Sequence, residues 1–284
     1  MDKSKSLTPD ILKITKEKGT EYQFSGVLNS NEKQGTYLCR QCGRALFRSH
    51  SKFHSSCGWP SFDEEIQNTI EKIPDNDGNR TEILCSRCHS HLGHVFLGEG
   101  FTNKNLRHCV NSLSLEFVEN SQIIDTEEGI FAAGCFWGVE YYFKKLNGVL
   151  KTEVGYIGGH KNYPSYEDIC SKKSGHLEAI RVIFNNTILK YEDVIKYFFE
   201  IHNPTQTNGQ GPDIGEQYLS AIFVYDEIQK DISKNCIQIL KNKKMNIATK
   251  ILEMNTFWPA ENYHQNYYEK NKHSPYCHVY RKLF

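Results

Sequence analysis

The 284-residue sequence has no apolar run near the about 18 residues a membrane-spanning helix needs, so no helical span is expected. It has no charge imbalance either. Lys and Arg number 34, Asp and Glu 34, and 15 of each sign fall in residues 1–124. With neither half a basic or an acidic tail, nucleic acid is not expected as the main partner. The N-terminal stretch from Met1 to Thr8 lacks an apolar segment, which predicts no signal peptide and a cytoplasmic location. Internal repeats and low-complexity tracts are absent. What the chain does have is 38% hydrophobic residues, 16 Tyr, 16 Phe, 3 Trp and ten cysteines. That is enough apolar material for two cores of moderate size. In a reducing compartment, ten cysteines point to metal ligands or reactive thiols before a disulfide framework.

The two halves differ in texture. Residues 1–121 carry short alternating runs, Gly35–Leu38, Thr81–Leu84 and Ser112–Phe117, and read as a small, mainly β domain. Thr8 and Pro9 open a helix, and Pro60, Pro74 and Asp77-Gly78 mark turns. Polar residues 122–128 read as a linker. In residues 129–284, strands at Gly129–Ala133, Glu178–Phe184 and Leu219–Tyr225 alternate with helices at Phe136–Leu146, Tyr191–His202 and Glu227–Leu240. The last helix is expected to bury Ile228, Ile232, Ile239 and Leu240, with Cys236 on the same stripe. This order suggests an α+β or α/β domain.

Cys39 and Cys42, then Cys85 and Cys88, are two C-x-x-C pairs. Two such knuckles supply four thiolates, the ligand set of a closed structural Zn²⁺ site. Cys57, in Ser56–Phe62, and Cys109, beside Arg107 and His108, fall outside that set. Neighbouring positive charge favours a thiolate at Cys109, although Cys is also among the most buried residue types. His91 and His94 could be ligands, acids or core groups.

Gly134-Cys135-Phe136-Trp137-Gly138 lies between an expected strand and an expected helix. That places Cys135 at a helix N-terminus, where the dipole and free N–H groups stabilise a thiolate. Cys277 is the eighth residue counting back from the C-terminus, in a tail expected to be mobile, which suits a thiol that must approach another.

These motifs carry a resemblance. S-C-G-W-P-S-F at Ser56–Phe62, H-L-G-H-V-F at His91–Phe96, R-H-C-V-N-S at Arg107–Ser112 and the two knuckles resemble the B-type peptide-methionine sulfoxide reductases. The resemblance implies a mainly β zinc-binding fold, Cys109 as nucleophile, Cys57 as resolving thiol and Trp59 against the substrate methyl group. It places His91, Arg107 and Asn111 around the site, with His94 as a proton donor. His108 departs from the family, which has an aromatic residue there, and so does Leu97. The second half resembles the A-type reductases through G-C-F-W-G at Gly134–Gly138, G-Y-I-G-G at Gly155–Gly159, G-H-L-E-A at Gly175–Ala179 and G-E-Q-Y at Gly215–Tyr218. This implies an α/β sandwich with Cys135 as nucleophile, Phe136 and Trp137 holding the methyl group, and Glu178 as acid. Tyr166 and Tyr218 would donate hydrogen bonds, Asp213 would support them, and Cys277 would resolve. Two sites suit a sulfoxide that is chiral at sulfur, since each epimer needs its own enzyme. The resemblance implies the S epimer for the A type and the R epimer for the B type. No organic cofactor is implied, and a thioredoxin-like dithiol would reset each site. Two other classes, a zinc-ribbon interaction module fused to an unrelated enzyme and a general thiol peroxidase, would show no dependence on Cys109 or on Trp59 and Trp137, respectively.

Overall fold

A computed structural model describes residues 3–75, 80–171 and 173–284. The Asp77-Gly78 turn lies outside the described residues. The chain divides after Thr126 into two compact units. No described helix is long and apolar enough to cross a membrane.

The first unit holds α1 (Pro9–Thr15) and nine strands: β1 (Thr36–Cys39), β2 (Ala45–Arg48), β3 (Lys52–Phe53), β4 (Ser61–Phe62), β5 (Ile70–Pro74), β6 (Thr81–Cys85), β7 (His91–Leu97), β8 (Leu106–Val110) and β9 (Leu115–Val118). They form a three-stranded sheet, β2-β1-β9, and a six-stranded sheet, β3-β4-β8-β7-β6-β5. Tyr37, Leu46, Phe47, Phe62, Ile83, Leu92 and Val110 fill the core. His108 is fully buried in this core, its ring 5.5 Å from that of Phe47. Strand alternation turns it away from the face that carries Arg107 and Cys109. It therefore does not reinforce the charge at Cys109 as expected. Its Nε2 faces Glu65 at 3.1 Å instead.

The second unit contains β10 (Thr126–Ala133), α2 (Phe136–Phe143), β11 (Val149–Ile157), α3 (Tyr166–Cys170), β12 (Leu177–Asn185), α4 (Tyr191–Glu200), β13 (Gly209–Gln210), β14 (Asp213–Ile214), β15 (Ser220–Val224), α5 (Glu227–Asn242), β16 (Lys250–Glu253), β17 (Trp258–Pro259) and α6 (Tyr267–Asn271). Its main sheet runs β16-β15-β10-β12-β11-β17. Both faces are covered, which is why β10 reads as an unbroken apolar run. Phe131 and Ala133 pack with Phe136, Val139, Phe143, Val194, Phe198 and Leu240 from α2, α4 and α5. Ile130 and Ala132 join Ala221, Phe223, Met254 and Phe257 in a second cluster.

Two expectations are corrected here. The segment 122–128 is not a free linker. Ile123 is buried, Asp125 accepts two hydrogen bonds from Arg87 at 2.7 and 2.8 Å, and β10 already begins at Thr126. Polar composition conceals this because its carboxylates are paired, Glu128 with buried Arg181 at 2.7 Å. In α5, Ile228 and Ile239 are exposed, and the buried face is Gln229, Ser233, Cys236, Ile237 and Leu240. Gln229 is buried because it completes backbone pairing, donating to Glu128 O at 2.9 Å and accepting from Tyr225 N at 3.3 Å.

Candidate active sites

The first candidate site lies on β8 and the turn before β4. Cys109 pairs in register with Ser61 of β4 and His94 of β7. Cys57 comes to it from the turn, with the two sulfurs 3.7 Å apart. Trp59, His94, Phe96, Cys109 and Asn111 line one open cavity. The two thiols are within hydrogen-bond reach, and either can be the donor. Cys57 is held down to about 4 by the hydrogen bond from Cys109 and, against burial, by the hydroxyls of Ser55 and Ser61. Cys109 is pushed up by that same bond, then by burial, while Arg107 pulls it down.

The residues around the thiols are held in place by long-range contacts. The Arg107 guanidinium lies 4.5 Å over the Phe96 ring and donates twice to Glu99, at 2.6 and 2.9 Å. His94 Nε2 is 2.8 Å from Asp75, and His91 Nδ1 is 2.7 Å from Glu82. Burial holds His91 below its ordinary pKa. Asn111 is buried and occupied: its Oδ1 accepts from Glu21 N at 3.1 Å and its Nδ2 donates to Leu92 O at 3.2 Å. Trp59 Nε1 donates to Glu21 O at 3.1 Å. Glu21 in turn accepts from the backbone of Ser112 and Leu113, at 2.5 and 3.0 Å. Glu21, Glu99 and Asp75 are not legible in the sequence, because a lone carboxylate in a polar stretch carries no periodic signal.

Cys39, Cys42, Cys85 and Cys88 form a separate cluster in this unit, with sulfurs 3.6 Å apart for Cys39–Cys88 and for Cys42–Cys85. All four sulfurs fall within 4.8 Å of one another. A tetrahedral metal with Zn–S bonds of about 2.3 Å has sulfurs about 3.8 Å apart, so the residues fit that ion. Cys39 ends β1 and Cys85 ends β6, so the cluster joins the two sheets.

The second candidate site lies where β10 meets α2. Cys135 is the N-cap residue of α2 and is buried. Gly134 makes the turn at φ +91°, and a Cβ there would fall 2.4 Å from Gln210. The thiol of Cys135 lies below its ordinary pKa, first through the hydrogen bond from Cys277 and, against burial, through the backbone N–H groups of Trp137 and Gly138. Cys277 is held up by that same hydrogen bond and by burial. The two sulfurs and a carboxylate oxygen of Asp213 lie within 4.8 Å of one another. The C-terminal tail is docked, contrary to the mobile tail expected. Cys277 is buried, Arg281 N donates to Glu200 O at 2.7 Å, and Tyr280 OH and Leu283 N donate to the Glu200 carboxylate at 2.9 and 3.0 Å.

Glu178, on β12, is buried and accepts from Phe136 N at 3.1 Å. Burial, then the charge of Cys135, push its carboxyl well above the usual range. It therefore keeps its proton at pH values where an exposed carboxyl would lose it. Tyr166 and Tyr218 are half-buried, their hydroxyls pushed up by burial and then by Glu178. Asp213, on β14, accepts from Tyr276 OH at 3.1 Å.

Phe136 is a core residue, 5.9 Å from Tyr156 and 5.1 Å from His264, ring to ring. Trp137 stacks on Tyr267 at 3.6 Å and donates to His264 Nδ1 at 3.1 Å. The 260s segment is held against the sheet by Gln265, which accepts from Val154 N at 2.9 Å and donates to Val154 O at 2.8 Å. Glu261 accepts from Tyr156 OH at 2.8 Å and Tyr166 N at 2.9 Å. His264, Tyr267, Glu261 and Gln265 were not read from the sequence, since their neighbours lie about a hundred residues away.

Comparison with known proteins places both units. Residues 127–284 match the family model described as peptide methionine sulfoxide reductase, and residues 7–119 match the SelR domain. The chain is 41% identical over 150 residues to the peptide methionine sulfoxide reductase MsrA of Nautilia profundicola, covering 53% of this chain and 87% of that protein. It is 45% identical over 147 residues to MsrA of Methanococcus maripaludis, covering 51% and 94%. The crystal structure of reduced Mxr1 from Saccharomyces cerevisiae is similar with a TM-score of 0.52 at 33% identity, covering 55% of this chain and 92% of that one.

Proposed function

Because the chain belongs to the peptide methionine sulfoxide reductases, with a SelR (B-type) domain preceding an A-type domain, it reduces methionine sulfoxide, and we propose how its residues divide that work. The observation that carries the proposal is the presence of two separate dithiols, Cys57/Cys109 and Cys135/Cys277. Cys109 attacks the sulfur of the R epimer and Cys135 that of the S epimer. The S=O oxygen takes protons, from Glu178 in the second site and from His94 in the first. Methionine leaves and the attacking cysteine becomes a sulfenic acid. Cys57 or Cys277 then displaces that oxygen as water and forms a disulfide. Trp59 in one site, and Phe136 with Trp137 in the other, present apolar surface to the S-methyl group. His91, Arg107 and Asn111 hold the first site, and Tyr166, Tyr218 and Asp213 supply hydrogen bonds in the second.

A thioredoxin-like dithiol resets both disulfides by exchange. That demand fits the reducing cytoplasm, and the substrates are oxidised methionines in proteins and the free amino acid. Zn²⁺ would be held by Cys39, Cys42, Cys85 and Cys88, closing the two sheets together without taking part in the reaction. The test is stoichiometric. Without reductant, each pure epimer should yield one methionine and one disulfide per chain, Cys57–Cys109 with R and Cys135–Cys277 with S. A yield confined to one epimer, or disulfides between other cysteines, contradicts the assignment.

A further inference from the structure

His278 has no part in the chemistry described so far, yet it is buried beside a reacting sulfur. Its Nε2 lies 2.7 Å from the carbonyl oxygen of Ala133 and its Nδ1 lies 3.1 Å from Cys277 Sγ. A carbonyl can only accept, so the ring proton sits on Nε2 and Nδ1 presents a lone pair to the thiol. Ala133 is the last residue of β10, two residues before Cys135, so the ring is anchored to the same turn that holds the nucleophile. The space for the ring is kept by Gly138, where a Cβ would lie 2.2 Å from His278 Nδ1. Tyr142 OH fixes the backbone by donating to His278 O at 3.3 Å.

We propose that His278 is the general base of the resolving step in the second site. The inference rests on Cys277 being the resolving thiol. In the reduced enzyme Cys277 Sγ lies 3.1 Å from His278 Nδ1 and within 4.8 Å of Cys135 Sγ. Once Cys135 carries oxygen, Cys277 must lose its proton to attack it, and His278 Nδ1 is the acceptor 3.1 Å away. Nδ1 takes it as Cys277 Sγ attacks Cys135 Sγ. An S–S bond forms and the S–O bond breaks. The Cys277 sulfur is oxidised and the sulfenic sulfur of Cys135 is reduced. The oxygen leaves as hydroxide and takes the proton from the imidazolium, so the sum is one disulfide and one water. Burial holds His278 below its ordinary pKa, which keeps the ring neutral and ready to accept. Other titratable groups around the pair are Asp213 from β14, Tyr276 beside Cys277, Tyr268 from α6, Tyr142 from α2 and His202 after α4. Of these, Asp213 is the competing acceptor.

The experiment follows one turnover of the full chain with the S epimer. It measures methionine release and the Cys135–Cys277 disulfide separately, by quenching with an alkylating reagent and weighing the peptides. In His278→Gln, methionine should form at the wild-type rate. The disulfide should form about thirtyfold more slowly at pH 7, because an unassisted thiol is only a few per cent ionised there. A sulfenic acid at Cys135 should accumulate meanwhile, and the deficit should narrow toward about pH 9, where a thiol ionises unaided. Disulfide formation at the wild-type rate overturns the role of His278. Absence of any Cys135–Cys277 disulfide in the wild type overturns the resolving assignment itself. A measurement on the wild-type chain stands independently of how the variant folds. The ¹⁵N spectrum of reduced protein should show His278 protonated at Nε2 alone, and a proton on Nδ1 contradicts the proposal.

Discussion

Glu178 shows how one residue's surroundings set its chemistry. A carboxyl kept protonated by burial can donate a proton near neutral pH. Its folded-state pKa lies above the unfolded one, so the proton is present below that raised value and lost as pH rises through it. Reduction of the S epimer should therefore fall on the alkaline side. Glu178→Gln should remove that limb and lower kcat by about 10²- to 10⁴-fold. The same substitution should leave the melting temperature unchanged or higher at pH 7, because forcing an acid to stay neutral above its ordinary pKa costs stability. Steady-state pH profiles with thermal denaturation read both effects. Loss of activity accompanied by a lowered melting temperature would count against the acid role. At the first site, Cys57→Ser should permit one turnover of the R epimer and then stop when thioredoxin is the only reductant, since a small dithiol would condense with the sulfenic acid directly. Rapid-quench methionine yields check this, and sustained turnover would contradict it.

Elements explain what the sequence could and could not disclose. The turn from β10 into α2 was legible, because strand, glycine, cysteine and helix are contiguous and their signals are local. The knuckles were legible for the same reason. The buried face of α5 was not, since Gln229 and Ser233 look solvent-facing until their backbone partners are known. The nine-residue strand β11 was missed because its first half is only half-buried and carries Lys151, Thr152 and Glu153. Its outer edge is completed by the Gln265 side chain and β17, which no local pattern announces. Within the sheet, Arg181 of β12 bridges Glu128 of β10 and Glu153 of β11, and Tyr225 OH also donates to Glu128. Glu128 has no exposure at all. Arg181→Ala would leave that carboxylate buried without its cation and should cost about 3–5 kcal/mol, measurable by denaturant unfolding. A change below 1 kcal/mol would mean the network contributes nothing net.

Across the whole molecule, the four-cysteine cluster and the two dithiols are distinct groups with distinct consequences. The four-cysteine cluster ties the three-stranded sheet to the six-stranded one through β1 and β6. A strong chelator should therefore lower the melting temperature of the first unit and abolish reduction of the R epimer, while the S activity persists. Calorimetry with activity measured on each epimer checks this. Equal loss of both activities would contradict a structural role confined to the first unit. The two dithiols are read as independent reductase sites of opposite epimer preference in one chain. The most direct test couples NADPH oxidation through thioredoxin and its reductase to separated R and S epimers, with wild type, Cys109→Ser and Cys135→Ser side by side. Cys109→Ser should lose only the R activity and Cys135→Ser only the S activity. Loss of both activities in either variant, or turnover of neither epimer by the wild type, would contradict this reading.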